Sequence, residues 1–327
     1  MSFLEVPKDY FDLLNIAIAR EIQVSAQYML QHTKMEKLLR KVIKENYLLD
    51  TTTYDEFGKI LKEIAIEEMK HIADIAERIY YLGGEATTKP DKIIIGNSIK
   101  EFAQINLKAE EEALTLYRQI IQEARKVGDR TTWQLFSKIY KDEEEHLLKF
   151  QEYVEMEEEP DLGETPESEW RSIFTPEYIE LLNKALASEI SAIIQYSIQH
   201  EKAENLRQLR LKKSALEVIT NKNKASIISD LLKEIFMQEM EHFEKIAERI
   251  YEVDREALAQ VDPLPNIGST VEDFIKLGRE AENYAIILYR DVIKKATELG
   301  DIKTKRMFED IIEQEEEHYW KFDDYVP

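Results

Sequence analysis

The 327-residue chain contains no cysteine. That excludes disulfides, iron–sulfur clusters, thiolate zinc sites and four-cysteine iron centres. Glycine and proline are scarce, with 9 and 8 residues, so there is little material for closely spaced turns. No apolar run approaches the roughly 18 residues a membrane span needs. The N-terminus, MSFLEVPKDYF, lacks the basic and apolar segments of a secretory signal. A soluble, cytoplasmic protein is expected. Positive charge is also short: 44 Lys and Arg stand against 66 Asp and Glu, a formal net charge of -22. Such a surface repels nucleic acid and anionic membranes and concentrates cations. What is abundant is Glu, Lys, Leu, Ile and Ala, in a chain 34% charged and 43% hydrophobic. That mixture favours helix, and the length suffices for two domains with separate cores.

The chain is one pattern written twice. DLLNIAIAREIQVSAQYMLQH (12–32) returns as ELLNKALASEISAIIQYSIQH (180–200), 168 residues on; EEMKHIADIAERIY (67–80) returns as QEMEHFEKIAERIY (238–251) after 171. The segment from Glu110 to Val154 returns after 172 as Glu282 to Val326. The offset grows in steps, so insertions fall between elements, as in a duplicated domain rather than a short-repeat solenoid. Each copy reads as four long helices. The first runs from about Pro7 past His32 and the second from about Tyr54 to Leu82, ending at Gly83-Gly84. The third runs from about Ser98 to Val127, stopping at Gly128, and the fourth from about Thr131 to Glu155. In the second copy the helices begin near Pro176, Ser226, Val271 and Ile302. The polar stretches 48–58 and around Asn221-Lys222-Asn223 are read as joints without a role. A short third-to-fourth turn makes those helices antiparallel, and a long crossover between second and third lets that pair run parallel. The expected fold is all-α: two tandem four-helix bundles at 1–156 and 172–327, joined by an acidic linker at 157–171.

Six histidines exist, in repeat-equivalent pairs. Four close a Glu-x-x-His motif: Glu68/His71, Glu143/His146, Glu239/His242 and Glu315/His318. Residues i and i+3 share a helix face, so each pair can reach one ion. The remaining glutamates of the EEEH runs point elsewhere. The repeat then selects partners: in the first helix only Glu21 and Glu189 are shared, and in the third only Glu110 and Glu282, because Glu111-Glu112 become Asn283-Tyr284. Each copy therefore offers four carboxylates and two imidazoles. That donor set can neutralise and bridge two divalent ions, with imidazoles at the ends. Buried without cations or protons, the carboxylates would repel one another and lose hydration. The bland alternative, a solvated acidic face, suits one such motif better than four at matching places.

These stretches, together with Ile95-Gly96 in the crossover and the 33-residue spacing from Glu110 to Glu143 and from Glu282 to Glu315, resemble the ferritin-like superfamily, bacterioferritin and rubrerythrin in particular. The resemblance implies a di-iron site in each half: two iron ions per domain, manganese or a mixed pair fitting the same donors. It implies ferroxidase-type chemistry, in which Fe(II) is oxidised by dioxygen or hydrogen peroxide. Alternatives are a peroxide-reducing rubrerythrin-like or manganese catalase-like enzyme, and a non-catalytic iron-binding module. Rubrerythrins carry a further carboxylate where this chain has Ala113 and Ala285. A redox donor protein is an implied partner. The expected assembly is an internal pseudo-dimer or small homo-oligomer, since the fifth helix of cage-forming relatives has no counterpart after Tyr325-Val326.

Three weaker signals have two readings each. Tyr28 and Tyr196, and likewise Tyr117 and Tyr289, lie two turns, about 10 Å, past a site glutamate on the same face. They either hydrogen-bond a ligand carboxylate or pass electrons, or are ordinary core. His32 and His200 lie about 16 Å from the first-helix glutamate, too far for the same ion: core histidines, or points of iron entry. Met69 and Met240 lie inside the second-helix motifs. In bacterioferritin-like proteins a methionine there ligates a shared haem; the alternative is interface packing with Ile66 and Ala73 or Phe236 and Phe243.

Overall fold

The computed structural model describes residues 6–44, 51–155, 169–210 and 217–326. The chain divides into two compact units, Met1–Glu164 and Thr165–Pro327. Each is an all-α four-helix bundle with the long crossover between second and third helices. The first unit holds α1 (Lys8–Lys44), α2 (Thr51–Leu82), α3 (Ile99–Val127) and α4 (Arg130–Val154). The second holds α5 (Pro176–Arg210), α6 (Glu217–Glu252), α7 (Val271–Leu299) and α8 (Ile302–Asp323). No helix among the described residues is long and apolar enough to cross a membrane.

Contacts along the helices give their directions. Asn15, early in α1, donates to Glu85 O just past α2, and His32, late in α1, meets Gly58 O early in α2. These helices are therefore antiparallel. Tyr28 reaches Glu110 while Tyr117 reaches Glu21, so α1 and α3 are antiparallel too. Hence α2 and α3 run parallel, and the crossover must span the bundle. It lies along α1, fastened by Asp91 N to Ala19 O at 3.0 Å and Gln31 Nε2 to Ile95 O at 3.0 Å. In the second unit Gln199 Nε2 holds Ile267 O at 3.1 Å in the same way.

Local chemistry sets the helix ends. Ser98 caps α3 by accepting from Glu101 N, and Thr270 with Asp273 forms a capping box on α7. Gly128 and Gly300 end α3 and α7 at φ 76° and 73°, the left-handed region where a side chain would be strained. The next residue, Asp129, caps α4 and is itself buried. It accepts from Arg78 Nη2 at 2.6 Å and from the Tyr10 hydroxyl at 3.1 Å, tying α1 and α2 to the turn at the end of the bundle. Asp301 repeats this with Arg249 and Tyr178.

The structure corrects two helix starts. Residues 51–58 are helix, not joint: Tyr54, Phe57 and Leu61 fall on one buried face of α2. The helix α6 starts at Glu217, so the backbone of Asn221-Lys222-Asn223 is helical as well. Most of the expected linker lies outside the described residues. Its last three, Glu169–Arg171, form a short 3-10 turn of the second unit, where Arg171 approaches Asp254 at 3.7 Å.

Candidate metal centre

In the first unit Glu21, Glu68, His71, Glu110, Glu143 and His146 converge in the middle of the bundle, none more than 3% exposed. They form two overlapping tetrads, Glu21/Glu68/His71/Glu143 and Glu68/Glu110/Glu143/His146, each with one donor atom per residue lying within 4.8 Å of the others. Glu68 and Glu143 belong to both, so the α2 and α4 glutamates stand between two positions and the α1 and α3 glutamates stand at the ends. The second unit repeats the pattern with Glu189/Glu239/His242/Glu315 and Glu239/Glu282/Glu315/His318. The other glutamates of the EEEH runs, Glu144, Glu145, Glu316 and Glu317, are exposed.

The imidazoles turn Nδ1 inward. His71 Nδ1 lies 2.9 Å from Glu68 Oε2 and 3.2 Å from Glu143 Oε1; His146 Nδ1 lies 3.1 Å from Glu68 Oε1 and 3.2 Å from Glu143 Oε2. In the second unit His242 Nδ1 is 2.9 Å from Glu315 Oε1 and His318 Nδ1 is 3.0 Å from Glu239 Oε1. The outer nitrogens are held by residues the sequence did not single out. His71 Nε2 meets Asp142 Oδ2 at 3.3 Å and His146 Nε2 meets Glu67 Oε2 at 2.8 Å. At the corresponding places His242 Nε2 meets Gln314 Oε1 at 2.6 Å and His318 Nε2 meets Gln238 Oε1 at 2.8 Å. Each partner sits one residue before a motif glutamate, on the opposite helix of its pair. That position was the available signal.

The tyrosines reach across the bundle. The Tyr28 hydroxyl donates to Glu110 Oε1 and the Tyr117 hydroxyl to Glu21 Oε1. Tyr196 and Tyr289 do the same for Glu282 and Glu189. Each occupies one carboxylate oxygen and leaves the other free for the cluster. His32 and His200 stand apart, on Gly58 O at 2.8 Å and Ser229 O at 2.9 Å. Met69 and Met240 are half-buried on α2 and α6.

The protonation pattern follows from burial and neighbours. Burial, then the charges of Glu68 and Glu143, push Glu21 well above the ordinary carboxylate range, and the same causes raise Glu110. In the second unit burial, then Glu239 and Glu315, raise Glu189; burial, then Glu315, raises Glu282 to about 8. For Glu68, burial works upward but is outweighed by the charge of His146 and by hydrogen bonds with both histidines, so the group stays ionised. Glu143, Glu239 and Glu315 are likewise lowered against the pull of burial. Burial opposes charge on the imidazoles, yet the carboxylates push His146 and His242 up to about 12 and raise His71 and His318 as well. Each cluster then holds two neutral carboxyls, two carboxylates and two imidazoliums. The two carboxyl protons and one proton from each imidazolium carry the charge of two divalent cations, which could replace them without changing the net charge. Several inward oxygens have a histidine nitrogen as close neighbour but no hydrogen bond of good geometry: Glu68 Oε1 and Glu143 Oε1 in one unit, and Glu239 Oε1 and Glu315 Oε1 in the other, where His318 Nδ1 makes none either. Buried polar atoms held so loosely are costly, and a cation in their midst satisfies the oxygens.

A family model for the ferritin-like domain matches residues 11–158 and 224–327. Among curated proteins, a bacterioferritin of Desulfovibrio desulfuricans is 33% identical over 141 residues, 43% of this chain and 71% of that protein. A bacterioferritin of Rhodobacter capsulatus is 31% identical over 141 residues, covering 43% and 76%. Among solved structures, the Desulfovibrio desulfuricans bacterioferritin, described with its diiron site in different catalytic states, matches at 29% identity and TM-score 0.37, covering 45% of this chain and 78% of that one.

Proposed function

This chain belongs to the family of ferritin-like domains, matched in both halves, and from that premise we propose that each half binds two ferrous ions and promotes their oxidation. The carrying observation is the pair of overlapping buried tetrads in each half. Their donor chemistry fits iron: hard carboxylate oxygens suit both ferrous and ferric states, and imidazole suits either. In this reading Glu68 and Glu143 lie between the two ions, with Glu21/His71 and Glu110/His146 at the ends. Glu189, Glu239, His242, Glu282, Glu315 and His318 repeat the set.

Iron is the substrate: two ferrous ions each lose one electron, and dioxygen or hydrogen peroxide takes both together with two protons. The chain's contribution is positional. Tyr28 and Tyr117 hold Glu110 and Glu21 by one oxygen each, and the outer partners of the histidines keep Nδ1 turned inward. Peroxide reduction of the rubrerythrin kind is less favoured, because the place of its further carboxylate is taken by buried Ala113 and Ala285. Haem has no part in this reading.

The test is stopped-flow mixing of Fe(II) with aerobic metal-free protein, alongside the quadruple variant E68A/E143A/E239A/E315A. Wild type should oxidise Fe(II) well above the buffer rate and bind about four divalent ions per chain, two per half by analogy with dinuclear carboxylate bundles; the variant should do neither. Binding without faster oxidation would leave a metal-holding module. Absence of binding would end the proposal.

A further inference from the structure

The second unit contains a cavity of about 260 Å³ that adjoins the carboxylate cluster and continues outward between α5 and α7, under the crossover segment 263–266. Its inner end is formed by the cluster glutamates and by Tyr196 and Tyr289; its outer part is lined by Ser188, Ala192, Gln195, Leu277, Ala281 and Tyr284. The outer part is therefore not the ion cage itself. At the corresponding positions of the first unit two side chains are larger and the third is charged. Ser188 is replaced by Arg20, Ala192 by Val24 and Tyr284 by Glu112. Arg20 is 7% exposed and its Nη1 lies 3.5 Å from Glu112 Oε2, so an ion pair bridges α1 and α3 where the second unit has two small residues and a tyrosine.

A second difference places an unused donor in the cavity. In the first unit Gln27 Nε2 donates to Asn106 Oδ1 at 3.0 Å, and Asn106 Nδ2 donates to Gln31 Oε1 at 2.7 Å. In the second unit the place of Asn106 is taken by Gly278, where an added Cβ would lie 2.5 Å from the Phe322 ring. The polar relay is therefore broken. Gln195, the counterpart of Gln27, is only 6% exposed, and its Nε2 makes no hydrogen bond. A buried donor left unpaired is destabilising unless something supplies an acceptor.

We propose that this cavity is a binding site for a small uncharged organic molecule with a carbonyl or hydroxyl oxygen on a short apolar body. The oxygen accepts from Gln195 Nε2, and Leu277, Ala281, Leu264 and the prolines of the crossover surround the body. The exposed Glu280 at the rim disfavours an anion. The volume is just below the roughly 300 Å³ at which small-molecule pockets begin, so the ligand is smaller than a drug-sized compound. The inference goes beyond the iron reading and does not depend on it, because the outer part of the cavity and its Gln195 donor are built by groups outside the cluster.

The experiment titrates cyclohexanone into metal-free full-length protein with labelled alanine and leucine methyl groups and follows their NMR shifts. Saturable shifts are expected at Ala281, Ala285 and Leu277, with none at Ala109 and Ala113 of the first unit. Cyclohexanecarboxylate should bind at least about tenfold more weakly, for the charge reason above. The triple variant S188R/A192V/Y284E, which copies the first unit, should remove the shifts. Should it fail to fold, Q195L keeps roughly the side-chain size and removes the amide with its donor. It should weaken cyclohexanone about three- to tenfold, the equivalent of one net hydrogen bond, leave cyclohexane unchanged and raise the melting midpoint. Unsaturable wild-type shifts, binding that survives in a folded triple variant, equal binding by the carboxylate, or no effect of Q195L would each overturn the proposal.

Discussion

In the first unit His71 and His146 turn their outer nitrogens to Asp142 and Glu67; in the second, His242 and His318 turn theirs to Gln314 and Gln238. The inner donors are the same residue types at matched positions, and the end-of-bundle ion pairs Arg78–Asp129 and Arg249–Asp301 are repeated too. What differs is the layer behind the histidines. A carboxylate can only accept, so it fixes the proton on Nε2 and leaves Nδ1 as the donor to a cation. It also makes the imidazole a stronger base. A glutamine oxygen can hold the same proton, but its amide can turn and offer NH2 instead, and it adds no negative charge. On the proposed function the first site would bind a cation more tightly and favour the higher charge state, while the second is electrostatically milder and has the cavity beside it.

The largest effect that can break this comparison comes from exchanging the outer layers. In wild type, titration with Co(II) should resolve a tighter and a weaker pair of ions, separated by about 10- to 100-fold, the usual consequence of changing such partners. The double variant E67Q/D142N should bring the tight pair down to the weak one, and Q238E/Q314D should raise the weak pair. The reduction potential of the first site, read by EPR-monitored titration, should rise in E67Q/D142N because the ferric state loses two nearby negative charges. Two indistinguishable pairs of ions in wild type would remove the asymmetry altogether.

The inner sites were legible in the sequence because the repeat retains them: the Glu-x-x-His pairs, Glu21 with Glu189 and Glu110 with Glu282 survive comparison of the halves. The same comparison hid the outer partners, since Glu67 becomes Gln238 and Asp142 becomes Gln314. A filter that keeps what two copies share discards what distinguishes them. The cavity was illegible for a related reason. Ser188 and Ala192 are unremarkable on a helix until α7 is known to face them with Ala281 and Gly278 nearby. The start of α2 is legible at about Tyr54, whose spacing to Phe57 and Leu61 is helical, and what that leaves out is the polar turn 51–53 before it. For α6, propagation of an existing helix costs far less than nucleation, so a polar segment such as 217–223 can remain helical without a clear period of its own.

A smaller effect separates the units by pH. Burial, and then the charge of Glu315, raise Glu282 from 4.5 to about 8, whereas its counterpart Glu110 is held well above the ordinary range. A carboxyl whose folded value is raised adds stability that is complete below its unfolded value and is lost as pH climbs through the folded value. For Glu282 that window runs from 4.5 to about 8, so the second unit of metal-free protein should weaken through neutral pH. Hydrogen exchange, corrected for intrinsic rates, should show amides of α5 to α8 losing up to about tenfold in protection per pH unit, the limit for one proton, up to pH 8. Amides of α1 to α4 should lose protection at least as steeply over that range and go on losing it above pH 8, because Glu110 keeps its proton to higher pH than Glu282. Divalent cations should flatten both profiles, since bound carboxylates no longer take up protons. Equal slopes in the two units above pH 8 would mean that Glu110 and Glu282 titrate alike.

The smallest expected difference lies with the tyrosines. Tyr28→Phe takes the hydroxyl donor from Glu110, and Tyr196→Phe takes it from Glu282. A buried acceptor that loses its donor costs about 1–3 kcal/mol when nothing replaces it. In the first unit the flank of α1 and α3 is occupied by Arg20 and Val24, and no replacement is at hand. In the second unit Tyr196 lines the cavity, so a water entering there can donate to Glu282 in place of the hydroxyl and recover part of the loss. Tyr28→Phe should therefore lower the local stability of its unit by about 1 kcal/mol more than Tyr196→Phe lowers that of the other, measured by hydrogen exchange in metal-free protein. Closing the cavity with S188R/A192V/Y284E should remove the advantage and make Tyr196→Phe as costly as Tyr28→Phe. If the two substitutions already cost the same in the open protein, water does not reach the glutamate from that side and the cavity ends short of the cluster.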